Sequence, residues 1–360
     1  WVTANSYAGG LVASLGANGT DLGSFWDIET TGQAVSYGGR GRTTVEMKTA
    51  STFSGWGGCE SEGAWTIDEG KDYPRLAWEG KPGQPITGQL SDIVPGGGTA
   101  ADPYLISTAE QLNAIGLFPC ERNRHFRLMA DIDLSVYKDM EFNRIGLGWP
   151  FAGTFDGNRH TISNFTYDTI QPGWGYLAQI VGLFGDVASG AVVKNLGMVN
   201  VYVSGYYDVG GLVARNNGGR ISNCYVTGQV SVGNRGGGLM GSNSGTVTAS
   251  WSEASVSSGW VGLLGGLVGI NDGTLSDCYA IAAVSAEPYE LYGSGGLAGE
   301  NTGHVSNCYA AGPISGPKSF VGGLIGKGLP DVVANCFWDV QTTGQIVSAG
   351  GTGKATAFMT

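Results

Sequence analysis

Three sets of residues in this 360-residue chain have the types and spacing that chemistry requires. An acidic run, Asp131, Asp133, Asp139 and Glu141, ends at Arg144. Carboxylates clustered beside a cation are what calcium-assisted or acid–base cleavage of an acidic glycan needs. Four cysteines, Cys224, Cys278, Cys308 and Cys336, recur in one short motif, and Ser250 stands where a fifth would be. Thiols so placed could cross-link, ligate metal or fill space. The residue after each of these positions is aromatic: Tyr225, Trp251, Tyr279, Tyr309 and Phe337. A row of rings on an outer surface can stack on sugars or dock a partner.

Each set also has a structural reading. Asp208, Glu253, Asp272, Asp277, Glu287, Glu290 and Glu300 are scattered over different repeat positions, and the upstream acids fit a solvated face or turn bonding. Strands of adjacent coils lie about 4.8 Å apart. Cys278 and Cys308, or Cys308 and Cys336, are then within disulfide reach, but parallel side-chain vectors oppose closure. Buried thiols acting as small apolar fillers are the expectation. Cys59 and Cys120 lie outside the column and could pair with each other. The aromatic row is either a self-supporting ladder or a contact surface. No C-x-x-C occurs, and His125, His160 and His304 are the only histidines, with no H-E-x-x-H. Zinc hydrolysis has no ligands here. Neither a G-x-S-x-G elbow beside a strand-to-helix step nor a meaningful phosphate loop stands out among 64 glycines. No catalytic residue, metal ligand or cofactor is assigned.

The elements that must position these residues are repeats. A Gly-Leu-apolar-small motif begins at Gly10, Gly182, Gly211, Gly238, Gly266, Gly296 and Gly323. A second motif follows about a dozen residues later, as in Ile221-Ser222-Asn223-Cys224-Tyr225 and Val305-Ser306-Asn307-Cys308-Tyr309. Steps from Cys224 are 26, 28, 30 and 28 residues. A helix-free period of this length predicts the coils of a β-solenoid. Val226, Val230 and Val232 alternate with Thr227, Gln229 and Ser231, apolar inward and polar outward. Val230, Val256, Val284 and Ile314 keep one phase and should stack. Asn223, Asp277, Asn307 and Asn335 share a position, broken by Ala249, that reads as a left-handed bend whose side chains can bond coil to coil.

Composition agrees. Charged residues are only 14% and apolar residues 42%, enough for a large core. Glycine shows no G-X-Y period, which excludes collagen, and helix formers are too scarce for a bundle. A net charge of −11 with no basic run argues against nucleic acid. No apolar run reaches the ~18 residues of a membrane span. The Trp1 start reads as a processed chain or an excised segment.

The Gly-Leu-x-Gly copies and the Ser-Asn-Cys-Tyr runs resemble the GLUG-motif repeat proteins. That family occurs in bacterial surface adhesins, in the N-terminal regions of immunoglobulin A-cleaving metalloproteases and in large secreted bacterial proteins. The resemblance covers roughly residues 98–345, with a partial copy at 8–48. It implies an all-β, right-handed parallel β-helix, extracellular or on the cell surface. Within it, 1–48 reads as the last coil and cap of a preceding module and 49–90 as a Trp-rich closing segment. Residues 91–106 read as linker and incoming strand, and 107–116 as a cap helix opened by Ser107 and Glu110. Residues 117–345 form the β-helix, with Phe126–Leu134 as its first strand, and 346–360 begin the next closing segment.

One longer period contains the others. Residues 24–48 and 336–360 match at a constant offset of 312, Phe25 on Phe337 and Met47 on Met359. The expectation is a non-catalytic structural or adhesive module, a slice of a tandem array or a fibre-forming subunit. Its expected partners are copies of itself, end to end or in tandem, and surface glycans through Tyr225, Trp251, Tyr279, Tyr309 and Phe337. The alternative is a polysaccharide-binding or polysaccharide-degrading β-helix enzyme or its accessory module.

Overall fold

The computed structural model describes residues 8–13, 23–36, 38–56, 63–138, 141–169, 179–259, 262–286, 293–316 and 320–359. Its main body is a parallel β-helix. One coil shows the plan: Arg220–Ser222, Tyr225–Val232, Arg235–Gly237 and Met240–Asn243 each belong to a different parallel sheet. Thr246–Thr248 then lands on Arg220–Ser222, with Ile221 opposite Val247, and the next coil begins. The first of these sheets runs nine strands from Tyr104–Ile106 to Val333–Ala334, so the stacking spans nearly the whole solenoid.

The sequence pattern explains the coil. Val230 pairs in register with Val256, Val256 with Val284 and Val284 with Ile314, and all four are buried. Leu212, Leu239, Leu267, Leu297 and Leu324 of the Gly-Leu motif are fully enclosed. The motif glycine permits close approach of coils: a Cβ on Gly266 would collide with the carbonyl oxygen of Gly296. Asn223, Asp277, Asn307 and Asn335 have φ of 52–55°, and even Ala249 takes φ 49° at the same corner. An Ala there is strained, so the solenoid dictates the corner and Asn or Asp relieves it.

Several boundaries differ from the sequence reading. The cap helix is Ala109–Ile115, and its N-cap is Thr108, not Ser107. Gln111, not Glu110, completes the capping box: its Oε1 accepts Ser107 and Thr108 N–H groups. The choice follows burial, since this phase encloses Leu112 and Ile115. The solenoid starts before that helix, at Tyr104–Ile106. The single strand expected over Phe126–Leu134 is two, His125–Leu128 and Ile132–Asp133, in different sheets, because a coil corner falls between them. The stretch from 91 read as linker holds part of a core seal. Leu90–Ile93 is a helical turn, with Leu90 and Val94 buried in the solenoid core. At the other end 346–360 is not separate: Thr352–Lys354 pairs parallel with Phe337–Asp339 as a last strand.

The described residues of 50–56 and 63–86 form a smaller unit. The 3-10 segment Ala50–Trp56 packs with an antiparallel three-stranded sheet of Trp65–Ile67, Arg75–Leu76 and Gln84–Pro85. Phe53, Ile67 and Ile86 make its core, and Phe25, Met47, Trp56 and Trp65 pack around it.

Candidate functional site: an outer aromatic row and two closing elements

The five aromatic residues stand in one outward row of the second sheet. Tyr225 and Trp251 stack at 4.5 Å between ring centroids, Trp251 and Tyr279 at 5.6 Å, and Tyr279 and Tyr309 at 5.0 Å. Interplanar angles are 5°, 7° and 6°, so each ring lies flat on the next. Below Tyr225 lies Gly197, where any Cβ would collide with the Tyr225 ring. The faces within the row are therefore occupied by one another, and the edges meet solvent. Phe337, opposite Tyr309, is 37% exposed, with the Lys354 ammonium 5.5 Å from its centroid. The geometry is that of the self-supporting ladder.

Inside the corner the cysteines form the expected buried column of free thiols. They do more than fill space. The Cys278 N–H donates to Cys308 Sγ at 3.4 Å, and the Cys308 N–H to Cys336 Sγ at 3.4 Å. Ser250 performs the same task with oxygen, its Oγ accepting the Cys224 N–H at 3.1 Å. Burial pushes the Cys224 thiol up to about 12. Hydrogen bonds to Cys278 and Cys336, then burial, also push Cys308 up, keeping its proton on. Cys120 is disulfide-bonded, and Cys59 lies outside the described residues.

The acids are engaged in local bonding. Asp131 Oδ1 accepts the Thr161 N–H at 2.8 Å and faces His160 Nδ1. Asp133 Oδ1 accepts from Ser135 N and Asn164 Nδ2. Glu141 Oε2 accepts the Lys138 N–H, and Asp139 lies outside the described residues. Arg144 is buried over the Tyr167 ring and donates to the Ile180 carbonyl. Farther on, Asp186 takes a two-pronged contact from Arg215 at 2.6 and 2.7 Å, and Asp208 meets Arg235 at 3.0 Å. Burial pushes Asp208 up against the pull of Arg235 and Arg215. Glu287 and Glu290 lie outside the described residues. Among the described residues, no three of His, Cys, Asp and Glu stand close enough to share a metal ion.

Two asparagine ladders link the coils. The corner ladder was expected: Asn223 Nδ2 donates to Asn195 Oδ1 at 3.1 Å, and Asn307 Nδ2 to Asp277 Oδ1 at 3.1 Å. The other was missed. Asn216, Asn243, Asn271 and Asn301 are buried and donate one to the next at 2.8, 2.7 and 2.7 Å. Each stands five residues after a motif glycine, a spacing that could have found them.

The 312-residue offset is reproduced atom by atom. Trp26 Nε1 donates to Gln33 O at 3.0 Å, and Trp338 Nε1 to Gln345 O at 2.9 Å. Asp27 Oδ1 caps Glu29 and Thr30, while Asp339 Oδ1 caps Gln341 and Thr342. Ser36 Oγ accepts from Leu11 and Val12, and Ser348 Oγ from Leu324 and Ile325. Phe25–Asp27 pairs parallel with Arg40–Arg42, as Phe337–Asp339 does with Thr352–Lys354. In both, the indole lies against a motif glycine, Gly10 or Gly323, and only glycine fits beneath it.

Parallel coils of about 28 residues, a Gly-Leu motif at each turn and a left-handed Asn corner define the class: a GLUG-repeat parallel β-helix. Residues 205–231 match the family described as the GLUG motif, and the coils on either side carry the same Gly-Leu motif. An alignment 180 positions long, covering 47% of this chain and 2% of the other protein, is 36% identical to halomucin of Haloquadratum walsbyi. An alignment 147 positions long, covering 38% of the chain, is 32% identical to a protein of Evansella cellulosilytica described as a Gly-rich membrane protein and covers 16% of it. The chain thus spans a small part of both relatives. Among solved structures, a Bacteroides ovatus protein described as an immunoglobulin A1 protease aligns at TM-score 0.51 with 22% identity, over 73% of this chain and 87% of that one. A second, named IgA1 protease, aligns at TM-score 0.53 with 22% identity, over 69% of this chain and 21% of that one. At that identity the likeness shows the fold alone.

Proposed function

We propose that this chain is a non-catalytic structural module of a large bacterial surface or secreted protein, one unit of a tandem array. The observation that carries the reading is the recurrence of one closing element at an offset of 312 residues, with the same capping bonds in both copies. Repetition at module length is what a stalk or fibre is made from. The relatives support it: one is described as a membrane protein, and the matched stretches are 2% and 16% of their lengths. The site chemistry supports it too, since the acids described above are bonded at corners and to arginines. Its adhesive role rests on length and repetition, since the rings of the aromatic row are taken up by stacking on one another. Two measurements test the reading. Antibody against the chain should label intact source cells or their secreted material. Incubation with acidic and neutral polysaccharides should yield no new reducing ends and no unsaturated products. Cytoplasmic label or steady glycan cleavage overturns it.

A further inference from the structure

The cysteine column repeats its bonding as well as its position. Each thiol donates to the carbonyl two residues earlier: Cys278 to Ser276 O, Cys308 to Ser306 O and Cys336 to Ala334 O, all at 3.1 Å. One side-chain conformation therefore recurs, and the three sulfurs stand one above another at the coil spacing of about 4.8 Å. All three are free thiols, at most 2% exposed.

Two further sets of bonds suit these sulfurs to exchange protons for a metal ion. Cys308 Sγ accepts the Cys278 N–H, and Cys336 Sγ the Cys308 N–H, and such donors favour a sulfur that carries negative charge. The carbonyls that the thiols serve also have other partners. Ser276 O accepts from Ala249 N, Ser306 O from Asp277 N and Ala334 O from Asn307 N, each at 3.1 Å. Loss of the thiol protons leaves none of these groups unsatisfied. Zinc does not suit the column, because it takes four ligands in a tetrahedron, and among the described residues no group of three His, Cys, Asp or Glu is close enough to hold a metal ion. A soft ion with two ligands in line does suit it. Metal–thiolate bonds are about 2.3 Å long, so two end to end span about 4.6 Å, close to the coil spacing.

We propose that neighbouring thiols of Cys278, Cys308 and Cys336 form a linear two-thiolate site for one soft metal ion, and that Hg(II) is the ion whose charge the site matches. Burial holds the protons on the sulfurs until the metal replaces them. Two S–H bonds break, two S–Hg bonds form, two protons leave to solvent and no electron is transferred. The product is neutral, as a dry core requires, whereas Ag(I) would leave one net negative charge there. One ion fills the column, because either pair of neighbours uses Cys308. Cys224 takes no part: Ser250 stands between it and Cys278, which puts the two sulfurs about 9.6 Å apart, twice the coil spacing. The site is independent of the tandem-array reading.

The test uses the full chain, equilibrated with Hg(II) and then washed with free thiol. The wash is kept well below the effective concentration of a paired second sulfur, on the order of mM, so that it strips metal held by one sulfur and spares metal held by two. Native mass spectrometry should show one mercury per chain and two protons fewer, and absorbance should gain the thiolate-to-mercury charge-transfer band. Cys224→Ser should keep the ion. Cys308→Ser should lose it, because Cys278 and Cys336 are two coils apart, and its melt shows whether it has folded. Ser250→Cys completes a run of five sulfurs and should hold two ions, which decides the matter if Cys308→Ser does not fold. Loss of the ion from the unmodified chain, its retention by folded Cys308→Ser, or a single ion in Ser250→Cys overturns the proposal. So does a Cys278–Cys308 disulfide formed in place of the metal.

Discussion

The Tyr73 hydroxyl donates to the Asp27 carboxylate at 2.6 Å, across 46 residues of chain, and joins the amino-terminal closing element to the small three-stranded unit. Burial works to raise the Asp27 carboxyl, but hydrogen bonds from Tyr73, Thr30, Thr44 and Glu29 outweigh it and hold it below its usual 3.8. The same bond, with burial, pushes Tyr73 above 10. The joint therefore has two edges in pH. Asp27 is depressed in the folded state, so its contribution is present above 3.8 and lost as pH falls through the folded value. Tyr73 is raised, so its contribution is present below 10 and lost as pH climbs through the folded value.

Tyr73→Phe should remove that link at neutral pH, at a cost of about 1–2 kcal/mol. Hydrogen exchange across 25–27 and 40–42 should accelerate, while exchange in the solenoid strands stays unchanged. In the unmodified chain the same segment should loosen below pH 3.8. An equal response in both regions would show that the closing element does not move as a unit.

The interior phase is tested at Val284. Val284→Asp places an unpaired charge between Val256 and Ile314 and should cost at least ~4 kcal/mol, enough to abolish a cooperative melt. Thr227, on the polar side of the strand, is a poor control, because its Oγ1 accepts the Asn200 N–H at 3.1 Å. Gln229 is exposed, and Gln229→Asp should shift the melt by no more than ~0.5 kcal/mol. Thermal denaturation of the two variants decides the phase: equal losses would refute it.

The Cys308 thiol accepts the Cys278 N–H and donates to Ser306 O at 3.1 Å. Cys308→Ser keeps both roles, as Ser250 does naturally, and should cost about 1 kcal/mol. Cys308→Ala leaves a buried N–H without its acceptor and should cost about 2–3 kcal/mol. Denaturant midpoints rank the pair. The opposite order would mean that volume alone governs the column.

What the sequence made legible was whatever repeats with a constant phase. The Cys step, the inward Val230–Ile314 column and the Asn corner are each set by one residue type at one position, so period and role read together. The 312-residue offset was legible for the same reason. Features that break the rule for their type were hidden. Asn271 is fully buried, though an isolated Asn between turns reads as surface. Leu90 and Val94 lie between Gly and Pro clusters that read as linker, yet they seal the core end. Thr108 and Ser107 are adjacent and equally able to cap, and only the burial of Leu112 decides between them. The neighbours of the aromatic row were readable, but not whether the rings would meet face to face.

That last geometry separates the two uses of the row. Trp251 lies flat between Tyr225 at 4.5 Å and Tyr279 at 5.6 Å, so its faces are not open to a sugar ring. Trp251→Ala empties a slot in the ladder and should cost about 2–3 kcal/mol, combining lost stacking with lost apolar contact. Trp251→Tyr preserves a flat ring in register and should cost less than ~1 kcal/mol. Retention on immobilised glycans should be the same for both variants and the unmodified chain when compared below their melting temperatures. Loss of retention in Trp251→Ala with no change in melting would mean that the row is a sugar platform rather than a support. A fall in melting temperature with retention intact is the outcome that the stacked geometry requires.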